Sequence, residues 1–344
     1  MEYERYVATR IAAGIFLLAL IFLVSVFSIS HGGYPLSMGE VFRALIWGGD
    51  YRTHMVIWNI RLPRVLAGIL VGASLAISGA VMQGFLRNPL ASPFTMGVSH
   101  GAMFGASIAI LLGAGYSESS GRIFVDNPYS VVLFAFLGAM SAATTILLLA
   151  RLKGLSPEAI ILSGIAMSSL FTALTTLVQY FADELQLAAM IYWSFGDLGR
   201  ATWREDLILG ASFAVVFAYF VMKRWDLNAS ALGDEVAKSV GVEVERTRII
   251  STFLATFLTA VSVSFVGVIG FVGLVAPHAV RLIFGGDYRF MIPLSALMGA
   301  LLLLTADTVA RLLFSPTVLP VGVVTSFLGA PMFIYLLVRM EGGR

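Results

Sequence analysis

Cysteine is absent from all 344 residues, which excludes a disulfide framework, a thiolate metal site and a cysteine nucleophile. Charge is also scarce, at 12% of residues against 58% hydrophobic, where a soluble domain carries about a quarter charged residues. The four histidines stand scattered at 31, 54, 100 and 278, so neither a metal site nor a convergent catalytic set is expected. No Gly-x-x-x-x-Gly-Lys-Ser/Thr run occurs. The chain therefore does not itself cradle ATP phosphates, and no cofactor of its own is expected. Net charge is only +2, with no basic run to follow a nucleic-acid backbone, so nucleic acid is not an expected partner. The longest hydrophilic stretches, 30–64 and 223–248, are too short for an independent domain. A single transmembrane domain over 1–344 is expected.

What the chain does have is apolar length. A bilayer core of about 30 Å needs about 20 apolar residues per helix. Such stretches recur near 11–29, 65–85, 93–114, 129–150, 159–181, 207–222, 249–269, 290–306 and 318–338. The first is longer than a signal-peptide core and lacks a small-x-small cleavage site, so it reads as a retained span. A tenth stretch, 274–284, is short and carries Pro277, His278 and Arg281. Lys and Arg accumulate in cytoplasmic loops. With ten spans and an internal N-terminus, 14 of the 22 Lys and Arg fall inside, Arg344 among them, and 8 outside, Arg122 among them. If the tenth stretch fails to cross, that bias vanishes. The fold expected is all-α and polytopic, with ten transmembrane helices and both termini cytoplasmic. Glycines at spacings of four, Gly68 and Gly72, then Gly97, Gly101 and Gly105, point to close helix packing.

Ordered motifs occupy both ends of the chain. Arg61-Leu-Pro-Arg64 is followed by Gly72-Ala-Ser-Leu-Ala-Ile-Ser-Gly79 and Gln83-Gly-Phe-Leu-Arg-Asn-Pro-Leu-Ala91, then Pro93 and Gly97. Gly270-Phe-Val-Gly-Leu-Val-Ala-Pro-His278 precedes Arg281, Ala306-Asp307, Arg311, Leu319-Pro-Val-Gly-Val-Val-Thr325 and Gly329-Ala-Pro331. In this order, over about residues 10–340, the set resembles the FecCD-type permeases of ATP-driven importers, which carry iron-siderophores, haem or cobalamin.

The resemblance implies a type II importer permease in a prokaryotic plasma (inner) membrane. It acts as a homodimer with two ATP-binding cassette subunits, which hold ATP-Mg, and an extracytoplasmic substrate-binding protein. The chain is then a transport subunit and not an enzyme, and its cargo is a metal chelate, with iron-siderophore or haem ahead of cobalamin and molybdate or tungstate. By the same resemblance Arg61, Arg64 and Arg311 receive acidic side chains of the binding protein. Interfacial anchoring would explain the same arginines. Asn88 and Leu90 are placed at a cytoplasmic gate with Pro157 and Glu158, although the latter two replace the small hydroxyl residues of the family. A helix start with Ser156 as N-cap and Pro157 at the first position explains them too.

The cytoplasmic loop at about 226–247 carries the implied ATPase-coupling residues Leu232, Gly233, Asp234, Val236, Val240, Gly241 and Val242. Here 231–242 reads as two short helices broken at Gly241, with an apolar face formed by Leu232, Val236 and Val240. Its acidic residues suit a protein partner better than anionic lipid headgroups. Trp193-Ser-Phe-Gly-Asp-Leu-Gly199 is the counterpart of an outer helix closing the vestibule, or an aromatic interfacial anchor. Asp307 and Arg311, four apart, are spaced to pair on one helix face. A self-powered secondary transporter would need a buried carboxylate or ion site and often inverted repeats. Neither is visible in the sequence.

Overall fold

The computed structural model describes residues 2–34, 36–46, 48, 50–114, 128–315 and 317–341. Arg122 and Arg344, which entered the charge balance, lie outside these residues. Among the described residues there is no strand. The helices are α1 (Glu2–Ser30), α2 (Met38–Ile46), α3 (Tyr51–Val56), α4 (Leu62–Phe85), α5 (Val98–Leu111), α6 (Pro128–Arg151), α7 (Pro157–Phe181) and α8 (Glu184–Ser194). They continue with α9 (Trp203–Met222), α10 (Arg224–Ala231), α11 (Asp234–Ser239), α12 (Val244–Val266), α13 (Val272–Phe284), α14 (Tyr288–Leu312) and α15 (Val321–Glu341). Seven helical stretches among the described residues are long and apolar enough to cross a membrane, and three shorter apolar helices lie at Val98–Leu111, Val272–Phe284 and Val321–Met332. Together they account for the ten expected spans.

Two boundaries differ from the sequence reading. The span expected from Pro93 begins as a helix only at Val98, because the chain turns through Gly97 at φ 84, a left-handed conformation natural to glycine. The second span begins much earlier than Val65. Helix runs unbroken from Tyr51 to Phe85, with a single π-turn at Ile57–Arg61 directly before Pro63. Proline removes one i→i−4 hydrogen bond and crowds the carbonyl four residues back. The widened turn lies where that conflict falls, and Pro63 sits inside the helical run.

The chain divides into two compact units. One comprises Met1–Ile77, Asp197–Val215 and Gly270–Arg344; the other comprises Ser78–Gly196 and Val216–Ile269. In the first, α4 meets α14 backbone to backbone: a Cβ on Gly72 would lie 2.3 Å from the Gly299 carbonyl oxygen, and a Cβ on Gly299 2.3 Å from that of Gly72. In the second, α5 and α6 approach as closely. A Cβ on Gly105 would stand 2.0 Å from the Phe134 carbonyl oxygen, and one on Gly101 2.4 Å from that of Gly138. Small residues let helices gain dispersion contact where lipid supplies no hydrophobic drive between them. Ala102, Ala106, Ala135, Ala139 and Trp193 are all buried in this second core. Trp193 is therefore a core residue and not an interfacial anchor.

Candidate functional site

Two polar clusters stand out, each within one unit. The first gathers Arg61, Arg64 and Arg311. Arg64 grips Asp307 side-on, Nε donating to Oδ1 at 3.0 Å and Oδ2 at 3.1 Å, and an Nη to Oδ1 at 2.8 Å. Arg311 Nε donates to Oδ2 of the same carboxylate at 3.1 Å, the i, i+4 pair its spacing suggests. Asp307 is wholly buried. An ionised carboxylate is costly to bury unless it is paired and hydrogen-bonded, and here two guanidiniums offset that cost.

Arg311 also donates to the Ser28 hydroxyl and to the His31 carbonyl, and Arg61 to the carbonyls of Ile29 and Tyr34. Gly32 makes room for this, since a Cβ there would lie 3.2 Å from an Arg61 Nη and 3.5 Å from an Arg311 Nη. The side chains of Arg64 and Arg311 are only 13% and 10% exposed. The three arginines thus form a recessed cluster.

The outward-facing member of the cluster is a residue to which the sequence reading gave no role. Asp197, about half exposed, pairs with Arg64 at 3.1 Å and accepts the Gly199 N–H at 2.9 Å, shaping the 3-10 turn Leu198–Arg200. Another unforeseen pair lies two residues into α9. Glu205 accepts the N–H and hydroxyl of Thr202. Asp206 is 2% exposed, and no donor among the described residues reaches either of its carboxylate oxygens. A buried carboxylate therefore does exist, near the end of a span.

The second cluster assembles the residues expected at the gate and the coupling element. Asn88 Oδ1 accepts the Leu90 N–H at 2.9 Å, and the Asn88 carbonyl accepts the Ala91 N–H at 3.1 Å. Arg87 before them is in the left-handed region at φ 46. Ser156 caps α7 by accepting the Ala159 N–H at 3.2 Å, with Pro157 at the first position and Glu158 in the first turn, the helix start that the sequence allowed. Pro157 is buried and Glu158 exposed.

The coupling loop folds as α10, α11 and the start of α12, with left-handed or extended-positive glycines at Gly233 (φ 124) and Gly241 (φ 86). The break expected at Gly241 is present, and a second lies at Gly233. Leu232, Val236 and Val240 are exposed by 75%, 43% and 65%, an apolar set with no cover in the single chain. Val242 lies beside an open cavity of about 490 Å³ also lined by Lys238, Glu243 and Arg246.

Arg248, on the first turns of α12, joins these pieces. It is 2% exposed and donates to Asp234 at 2.7 Å and to the Leu155 carbonyl at 2.9 Å. Leu155 itself is held at φ 56, directly before the Ser156 cap. Arg87 lies 3.9 Å from the same Asp234 carboxylate. Arg248 therefore ties α11 to the turn before α7, and Asp234 also faces the turn after α4. In the sequence Arg248 counted only as one more inner charge.

A model of the FecCD transport family matches residues 17–339. The chain belongs to that family. A protein of Methanocaldococcus jannaschii named as an ABC transporter permease is 59% identical over 98% of this chain and 97% of its own length. The hemin transport system permease HmuU of Yersinia pestis is 38% identical, covering 96% of each chain. The vitamin B12 import system permease BtuC of Salmonella arizonae is 38% identical over 93% of this chain and 92% of its own. Among solved structures, one described as an inward-facing metal-chelate type ABC transporter superposes with a TM-score of 0.82 at 32% identity, covering 95% of this chain and 98% of that one. This FecCD protein is accordingly a multi-pass permease of the inner membrane.

Proposed function

We propose that this FecCD permease imports an iron chelate, iron-siderophore or haem, as a homodimer driven by two ATPase subunits and loaded by an extracytoplasmic binding protein. The observation that carries the reading is the family match from 17 to 339. A relative named for hemin supports the cargo class. One named for vitamin B12 keeps cobalamin as the alternative within it. ATP-Mg is held by the partners, since the chain has no phosphate-binding loop. Arg61, Arg64 and Arg311 supply the docking charge. Leu232, Gly233, Asp234, Val236, Val240, Gly241 and Val242 meet the ATPase, and Asn88, Leu90, Pro157 and Glu158 border the inner gate.

Charge complementarity of this kind fixes orientation and speeds encounter. Neutralising Arg61 and Arg311 to Gln, and separately reversing all three arginines to Glu, should abolish stimulation of ATPase activity by the binding protein in reconstituted vesicles, with the helical circular-dichroism signal retained. Stimulation equal to wild type in both variants removes the docking assignment. Asp206 is the observation that favours a second reading, ion-coupled transport by the chain alone. Uptake into vesicles driven by an ion gradient, without ATPase subunits, would establish it in place of the first.

A further inference from the structure

Arg64 serves two carboxylates of opposite character. Asp307 is wholly buried and engaged through both oxygens. Asp197 is 47% exposed and engaged through one oxygen, at 3.1 Å. Withdrawing Asp307 would strand a buried guanidinium, which is costly. The pair of Asp197 with Arg64 is held through one oxygen of a half-exposed carboxylate, so exchanging that carboxylate for another of the same charge is close to neutral. Of the two carboxylates on Arg64, Asp197 is the one that meets solvent, so an arriving acidic group would compete with it and not with buried Asp307.

We propose that Asp197 is the resident occupant of a carboxylate-binding position on Arg64, displaced when a glutamate or aspartate of the docking partner takes that position. This rests on the docking reading above and adds a positioning residue to it. The same carboxylate oxygen that faces Arg64 accepts the Gly199 N–H at 2.9 Å. Gly199 packs against the guanidinium so closely that a Cβ there would lie 2.6 Å from an Arg64 Nη. Displacement therefore releases the Leu198–Arg200 turn from Arg64. The turn carries a second cation on which Asp197 acts, Arg200, whose pKa is held below its ordinary value by burial and raised in part by Asp197.

The test uses the whole importer in lipid nanodiscs, with the binding protein of the same importer as probe. Asp197→Asn removes the resident competitor and should tighten binding-protein affinity about threefold, the size expected of an exposed ion pair. Asp197→Glu should restore the wild-type value. A partner-free arm follows labelling of Arg64 by phenylglyoxal, read by mass spectrometry, which should quicken in Asp197→Asn and not in Asp197→Glu.

Unchanged or weakened affinity in Asp197→Asn, when Arg64→Gln has lost docking, overturns the exchange while leaving the docking reading intact. Wild-type affinity in Arg64→Gln overturns both. Faster labelling in Asp197→Glu than in wild type would also overturn it, because a retained carboxylate would then be failing to shield Arg64.

Discussion

The Arg248–Asp234 pair predicts that two substitutions on one ion pair have unequal costs. Arg248 is 2% exposed, whereas Asp234 is 34% exposed. Asp234→Asn keeps an acceptor oxygen but leaves a buried guanidinium without its counter-ion, and stranding a buried charge costs about 3–5 kcal/mol. The accessible partner and the remaining carbonyl reduce this to about 2–3 kcal/mol. Arg248→Met leaves the opposite situation, because Asp234 already meets water and keeps Arg87 at 3.9 Å. Its flexible thioether side chain fills much of the vacated space, so the loss should be about 1 kcal/mol. Chemical unfolding of the purified permease in detergent micelles, followed by tryptophan fluorescence, measures both. Asp234→Asn should unfold at the lower denaturant concentration. An equal or larger loss for Arg248→Met would refute the idea that burial asymmetry governs this junction.

The same junction and the helix contacts yield further expectations. Leu232→Ser, Val236→Ser and Val240→Ser together should weaken co-purification of the ATPase subunits at least tenfold while leaving the unfolding midpoint within about 0.5 kcal/mol, because exposed positions cost little to change. Gly105→Val should prevent accumulation of folded protein, since its Cβ meets the Phe134 carbonyl, and overpacking of a rigid contact costs about 1–3 kcal/mol or more; size-exclusion profiles of the expressed protein decide this. Asp307→Asn should cost about 3 kcal/mol by leaving Arg64 and Arg311 without their shared buried anion, measured by the same unfolding curves. Glu40 accepts the N–H and hydroxyl of Ser37, which hold its carboxyl below the ordinary glutamate range. That stabilisation of α2 is full above the ordinary range and is lost as pH falls through the lowered value. Amide exchange in α2, corrected for the intrinsic pH dependence, should lose protection on acidification, and should not do so in Glu40→Gln.

Much of this architecture was legible in the residues because lipid demands long apolar helices, and those stretches can be counted. The short α13 was recoverable only through charge balance. The glycine spacing announced close packing, yet named only one side of each contact; the partners, Gly299, Gly138 and Phe134, lie far away in sequence. Helix starts governed by local chemistry, such as Ser156-Pro157-Glu158, were readable in full. The π-turn before Pro63 was not, because its signal is a conflict resolved upstream of the residue that causes it.

The candidate clusters divide along the same line. Asp307 and Arg311 share one helix face, so their pairing follows from spacing. Arg64 joins them from 243 residues away, and Asp197 and Arg248 gain their meaning only from such distant partners.

The mutual approach of Gly72 and Gly299 has a mechanical consequence. Two helices touching through bare backbone have no side-chain layer to shear, so α14 and the adjoining part of α4 can turn only as one spar, fastened again at its arginine end by Asp307. A push delivered at that end is transmitted along the spar with little local yielding. Whatever bends during a transport cycle must then bend elsewhere in the chain, and glycine-bearing joints such as Gly196, Gly233 and Gly267 are the places to plant distance probes.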